Sequence, residues 1–156
     1  MMPPRKRPPD LLKATAVPIQ PFDHIHGVDT SGLVPSGHLA TGHPNDEHIT
    51  AYYGVAPSIL RTLIQHWRET VPPHPIHSYT FLDIGCGKGR AMLIASELGF
   101  RKVIGVELNP QMAAIAQLNA RHWKKAHTIN ITAPTLATIE IVEQDALDYT
   151  FPLTPT

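Results

Sequence analysis

Three glycines, Gly85, Gly87 and Gly89, fall within five positions of "YTFLDIGCGKGRAMLIA", residues 79–95, directly behind a run fit for a buried strand. Glycines at a strand end let the backbone turn tightly and approach a ligand without Cβ atoms in the way. The start of the next helix adds N–H groups that suit a carboxylate or a phosphate. Asp83 stands two places before the first glycine, Glu107 closes "KVIGVEL", and Asp145 closes "TIEIVEQD". At the carboxyl end of a parallel strand, the two oxygens of Glu107 can take both ribose hydroxyls of a nucleoside, and Asp145 can accept from an adenine amino group. With Asp83, these carboxylates form a row along one rim of a sheet.

Three ligand classes compete for the turn. A phosphate-binding P-loop needs Gly-Lys followed by Ser or Thr, whereas Lys88 is followed by Gly89 and Arg90. The dinucleotide fingerprint puts its third small residue at position 90, where Arg90 cannot serve close helix packing. The third class is S-adenosylmethionine, whose turn carries an acidic residue in the place of Asp83. Glu107 suits NAD as well, so it selects a nucleoside without choosing between the two.

The elements that must hold these residues follow from periodicity. "YTFLDIG", "KVIGVEL" and "TIEIVEQD" read as strands, "RAMLIASELG" and "NPQMAAIAQLNARHW" as helices, with Asn109 as N-cap and Pro110 as first helical residue. Alternating strands and helices predict an α/β fold with a parallel sheet and right-handed crossovers. Upstream, "APSILRTLIQHWRET" predicts an amphipathic helix with Leu60, Leu63, Ile64 and Trp67 on its apolar stripe and Arg61, Gln65 and Arg68 on the wet face. Twelve of the sixteen prolines precede residue 76. Residues 1–20 therefore read as a flexible, basic, Pro-rich tail, and residues 21–77 as an extended arm with turns plus that helix.

The 156 residues fit one domain, and thirteen Lys and Arg balance thirteen Asp and Glu, so no global charge points to nucleic acid or an anionic membrane. One cysteine, Cys86, excludes an internal disulfide framework. No apolar run is long enough to span a membrane, and the chain reads as cytoplasmic. His24, His26, His38, His43 and His48 match no common zinc-finger spacing and have no paired cysteines beside them, so they read as loop residues and no metal is expected. Cys86 reads as a small apolar residue of the turn, Lys88 and Arg90 as solvated residues, and Trp67 and Trp123 as packing residues. Tyr52 and Tyr53 fit equally a lid or the packing of the arm on the sheet.

Residues 79–149 resemble the seven-strand, Rossmann-like (class I) S-adenosylmethionine-dependent methyltransferases. "FLDIGCGKG" is similar to their first motif, "VIGVELNP" to their second, and "EQDALDY" to the segment after their third strand; "FDHIHGVDTSGLVP" and "YYGVAPSILRTLI" resemble the lead-in of a bacterial subgroup. The resemblance implies S-adenosyl-L-methionine as cofactor. Asp83 and the backbone of Gly85, Cys86, Gly87 and Gly89 would hold its methionine part. Glu107, with Leu108 beside it, would hold the ribose, and Asp145, with Ala146, the adenine; Gln144 or Asp148 takes that place if the strand runs further. Tyr53 would stand on the segment that covers the cofactor. Residues 78–156 would be the cofactor-binding part, with three of seven strands, so the resemblance implies a fragment, weakly active or inactive alone. It names no general base, and the methyl acceptor is a protein, a nucleic acid or a small molecule. A nucleoside-binding module without catalysis is the alternative, and an NAD-dependent oxidoreductase a more remote one.

Overall fold

The computed structural model describes residues 19–70, 73–129 and 135–152. Of the expected tail, residues 1–18 lie outside the described residues.

The fold is mixed α/β, with a Rossmann-like parallel sheet at its centre. Three parallel strands, β3 (Thr80–Ile84), β4 (Lys102–Glu107) and β5 (Thr138–Glu143), lie in the order β3-β4-β5. Leu82 is level with Ile104, and Ile104 with Glu140. Helix α3 (Arg90–Glu97) joins β3 to β4, and α4 (Pro110–Ile129) follows β4. Val103, Ile104 and Val106 are buried on the central strand. Gly105 lies among them because a Cβ there would stand 2.3 Å from Met92 Sδ and 2.8 Å from Cys86 Sγ.

Both crossover helices start where the sequence places them. Gly89, at φ +85°, precedes α3, and Leu93 N–H donates to its carbonyl at 3.1 Å. Asn109 caps α4 through Oδ1, which accepts from the N–H groups of Gln111 and Met112, both at 3.0 Å. Six of the eight residues of α3 are buried, because the helix lies between the sheet, α4 and the upstream helix α2 (Pro57–Thr70).

Helix α2 departs from its expected stripe at one position. Ile64 is buried, and Leu60 and Trp67 pack on the core, but Leu63 is 58% exposed. At about 100° per residue, Leu63 lies at the margin of the stripe, on the side of the equally exposed Ile59, and the core meets the other side.

The expected arm carries more regular structure than its composition predicts. It contains α1 (Pro21–His26), closed by Gly27 at φ +65°, and a two-residue antiparallel ladder of β1 (Leu33–Val34) and β2 (Tyr52–Tyr53). Turns of 3-10 helix cover Ser36–His38 and Pro44–His48. α1 docks through Phe22 and His26, whose rings lie 5.4 and 4.5 Å from that of fully buried Trp123. Trp123 Nε1–H donates to Ser96 Oγ at 3.1 Å. Among the described residues no helix is long and apolar enough to cross a membrane, and no group of three His, Cys, Asp or Glu is placed to hold a metal.

Candidate cofactor site

The carboxyl ends of β3, β4 and β5 open on a cavity of about 670 Å³ whose opposite wall is the arm. Asp83, Gly85, Cys86 and Gly87 form its floor, Glu107 and Leu108 one side, Asp145 and Ala146 the far end, and Tyr53 part of the roof. Gly89, the remaining candidate, lies off the cavity wall. Its missing Cβ faces Ala116 of α4 at 3.3 Å, so this glycine lets the turn and α4 come close together.

The turn is built by backbone hydrogen bonds. The N–H groups of Gly85 and Cys86 both donate to Val106 O, at 2.8 and 3.2 Å, and Gly89 N–H donates to Cys86 O at 2.9 Å. Gly85, Gly87 and Gly89 all have φ between +55° and +85°, the left-handed region where glycine is favoured. Gly87 has a second reason: a Cβ there would meet the Tyr52 ring at 2.4 Å.

Negative charge collects around this turn. Glu107 folds back on it, with Oε2 accepting from Gly87 N–H at 2.7 Å and Oε1 from Asn109 N–H at 2.9 Å. An N–H expected to serve a ligand anion is thus held by the protein's own carboxylate, which keeps lone pairs free for hydroxyl donors. Burial, and then the charge of Glu107, push the Asp83 carboxyl up to about 6. Burial also pushes the Cys86 thiol up, with Asp83 and Glu107 adding to it, which keeps it a thiol.

At the far end, Asp145 is held from two sides. Its Oδ1 accepts from Leu147 N–H at 2.8 Å, and its Oδ2 from the side-chain amide of Asn45 on the arm. These donors, the Leu147 N–H foremost, hold its carboxyl below the usual range. Gln144 also lines the cavity.

Two expectations are corrected. Arg90 is 3% exposed rather than solvated: it is the centre of the arm's attachment, because the arm supplies carbonyls and hydroxyls for all of its N–H groups. Lys88 also turns away from the cavity, its Nζ 2.8 Å from Asp29 Oδ1 and 2.9 Å from Ser31 O. Of the tyrosine pair, Tyr52 packs on Gly87 and donates its hydroxyl to Thr30 O at 2.7 Å, while Tyr53 is 61% exposed at the cavity mouth. Asn45 and Arg90 were missed as site-forming residues, and Tyr52, read as lid or packing residue, packs the arm on the turn. The only local signal was "YY" on a short strand, where alternation sends one ring inward without saying which.

Parallel strands joined by helical crossovers, with a glycine turn and strand-end carboxylates around one cavity, make a Rossmann-like α/β core with a candidate nucleoside site. Residues 81–154 match the family model described as a methyltransferase domain. The chain is 30% identical over 104 residues to ribosomal protein L11 methyltransferase of Janthinobacterium sp. (strain Marseille), covering 63% of this chain and 32% of that protein. The namesake from Vibrio campbellii (strain ATCC BAA-1116) is 28% identical over 82 residues, 53% of this chain and 27% of its own length. The chain thus spans about a third of the curated relatives it matches. A solved S-adenosylmethionine-dependent methyltransferase of Thiobacillus denitrificans, in complex with S-adenosyl-L-homocysteine, is similar at 18% identity and a TM-score of 0.45, over 62% of this chain and 33% of that one.

Proposed function

We propose that this chain binds S-adenosyl-L-methionine in the strand-end cavity and forms the cofactor-binding part of a methyltransferase. Residues 78–156 hold the cofactor, and residues 21–77 form the lid on the substrate side. The observation that carries the reading is electrostatic. The two carboxylates Asp83 and Glu107 face the glycine turn, while the neighbouring cations Lys88 and Arg90 are engaged with the arm. Such a floor favours a ligand with a positive charge and hydroxyl donors, and disfavours one that brings phosphates.

When bound, S-adenosylmethionine supplies a methyl carbon made electrophilic by its sulfonium, so the protein's main task is alignment. Asp83 balances positive charge near the turn, Glu107 accepts from the ribose hydroxyls, and Asp145 from the adenine amino group. Leu108 and Ala146 flank the nucleoside, and Tyr53 closes the mouth. The curated relatives are named for ribosomal protein L11, which makes a protein the first acceptor to assay. A cytoplasmic location accompanies this reading, and fractionation of the native host tests it.

Calorimetric titration with S-adenosylmethionine, S-adenosylhomocysteine and NAD decides the central claim. Saturable binding of the first two, with NAD without effect, is expected. Tight NAD binding with neither of the others bound would make the site that of an oxidoreductase.

A further inference from the structure

Arg90 follows the glycine turn directly, and its guanidinium is spent on the arm. Nε–H donates to Thr30 Oγ1 at 2.7 Å, Nη2 to Thr30 O at 2.8 Å and to Ser31 Oγ at 3.1 Å, and Nη1 to Gly54 O at 3.0 Å and Val55 O at 3.2 Å. All five N–H donors of the group are matched, and the acceptors come from both sides of the β1–β2 ladder. Behind them Asp23 accepts from the N–H groups of Thr30 and Ser31, each at 2.7 Å, and from the Thr30 hydroxyl; its Oδ1 lies 3.9 Å from Nη2. Gly54 leaves the room this needs, since a Cβ there would stand 2.8 Å from Arg90 Cζ.

The attachment closes a ring. Thr30 O accepts from Arg90 and from the Tyr52 hydroxyl, and the Tyr52 ring returns to the turn at Gly87. The turn is therefore fastened to the arm at Gly87 and at Arg90, three residues apart. Lifting the arm would strip five buried donors of their acceptors together, so the arm is either docked or released rather than loosely held.

We infer that Arg90 is a positioning residue for the cofactor: acting through Thr30 and Tyr52, it docks the arm over the turn, so that arm docking and cofactor binding favour each other. This rests on the reading of the cavity as an S-adenosylmethionine site. The coupling is reciprocal, because whatever docking adds to cofactor affinity the cofactor returns to docking. Lysine is a poor replacement, since a point ammonium with three donors cannot reproduce the planar fork.

The test uses the full chain, with Arg90→Ala, Arg90→Lys and Gly54→Ala. Affinity for S-adenosylmethionine and S-adenosylhomocysteine is measured by calorimetry, and arm docking by amide hydrogen exchange at Thr30 and Ser31, with the β4 amides as reference. Arg90→Ala is expected to weaken binding about tenfold or more, the effect of stranding buried acceptors. It should speed exchange at Thr30 and Ser31 and leave β4 unchanged, and Arg90→Lys should recover part of the loss. Gly54→Ala should weaken binding with the arginine intact, and it decides the matter should Arg90→Ala also lose β4 protection. In the wild type, ligand should slow exchange in the arm. Binding within about twofold of wild type while the arm exchanges freely would overturn the coupling, and arm amides still protected in Arg90→Ala would overturn the clamp. A wild type that binds neither ligand would remove the reading of the cavity and the coupling with it, yet faster arm exchange in Arg90→Ala would still identify the clamp.

Discussion

Asp83 is the residue at which fold and ligand pull in opposite directions. Its carboxyl is raised from the ordinary 3.8 to about 6 by burial first and by Glu107 second. Between about pH 4 and 6 the folded chain therefore binds more protons here than the unfolded chain, and stability falls as pH rises through that window. Above it, an ionised buried carboxylate costs about 2–3 kcal/mol. Asp83→Asn is accordingly expected to raise the stability of the ligand-free protein at alkaline pH by about 2 kcal/mol, read from urea unfolding at pH values on either side of the window. The same change should weaken S-adenosylmethionine binding. Equal stability of variant and wild type at both pH values would show that Asp83 carries no such strain. Asp83 and Glu107 were legible in the sequence because each stands at a fixed offset from the glycine turn or a strand end. Arg90 was not, because its acceptors lie 35 to 60 positions away along the chain, where no local pattern reaches.

At the scale of elements, the three strands and two crossover helices of the core were legible because strand and helix periods differ and Asn109, Pro110 and Gly99 punctuate them. The arm was legible only as punctuation. Its proline, glycine and histidine content marks turns, while its order comes from tertiary partners such as Asp23 with Thr30, and Asn119, whose Nδ2 donates to Asp29 O at 2.7 Å. The exposure of Leu63 has the same origin, since a helical stripe gives a direction but not the width of the surface it meets. One arm element responds to acid. Burial, more than the neighbouring His127 and Arg61, holds the His26 imidazole below its ordinary 6.5, against the opposing pull of Glu97. A depressed folded value means that this contribution to stability is present above about pH 6.5 and is lost as pH falls through the folded value. α1 is therefore expected to loosen from Trp123 on mild acidification, seen as a change in tryptophan fluorescence below neutrality that His26→Phe removes. An unchanged transition in that variant would assign it to another group.

At the scale of the whole molecule, the order of assembly follows from which residues are joined. The β3–α3–β4 unit is held by contacts between chain neighbours, whereas the bonds that finish the cavity join positions 60 apart at Arg90 and Thr30, and 100 apart at Asn45 and Asp145. Closing such loops costs entropy before any contact is gained, so they form late. Pulse-labelled hydrogen exchange during refolding should protect the β4 amides before those of Thr30 and Ser31, and the reverse order would mean that the arm nucleates the fold. On the ribosome the sequence of events is harsher, because the N-terminal side emerges first. Asp23 and the carbonyls of Gly54 and Val55 must then wait in water until Arg90 has been synthesised, and Asn45 until Asp145 has. The binding cavity is thus completed only when the segment that follows β5 has left the ribosome to meet an arm made long before it.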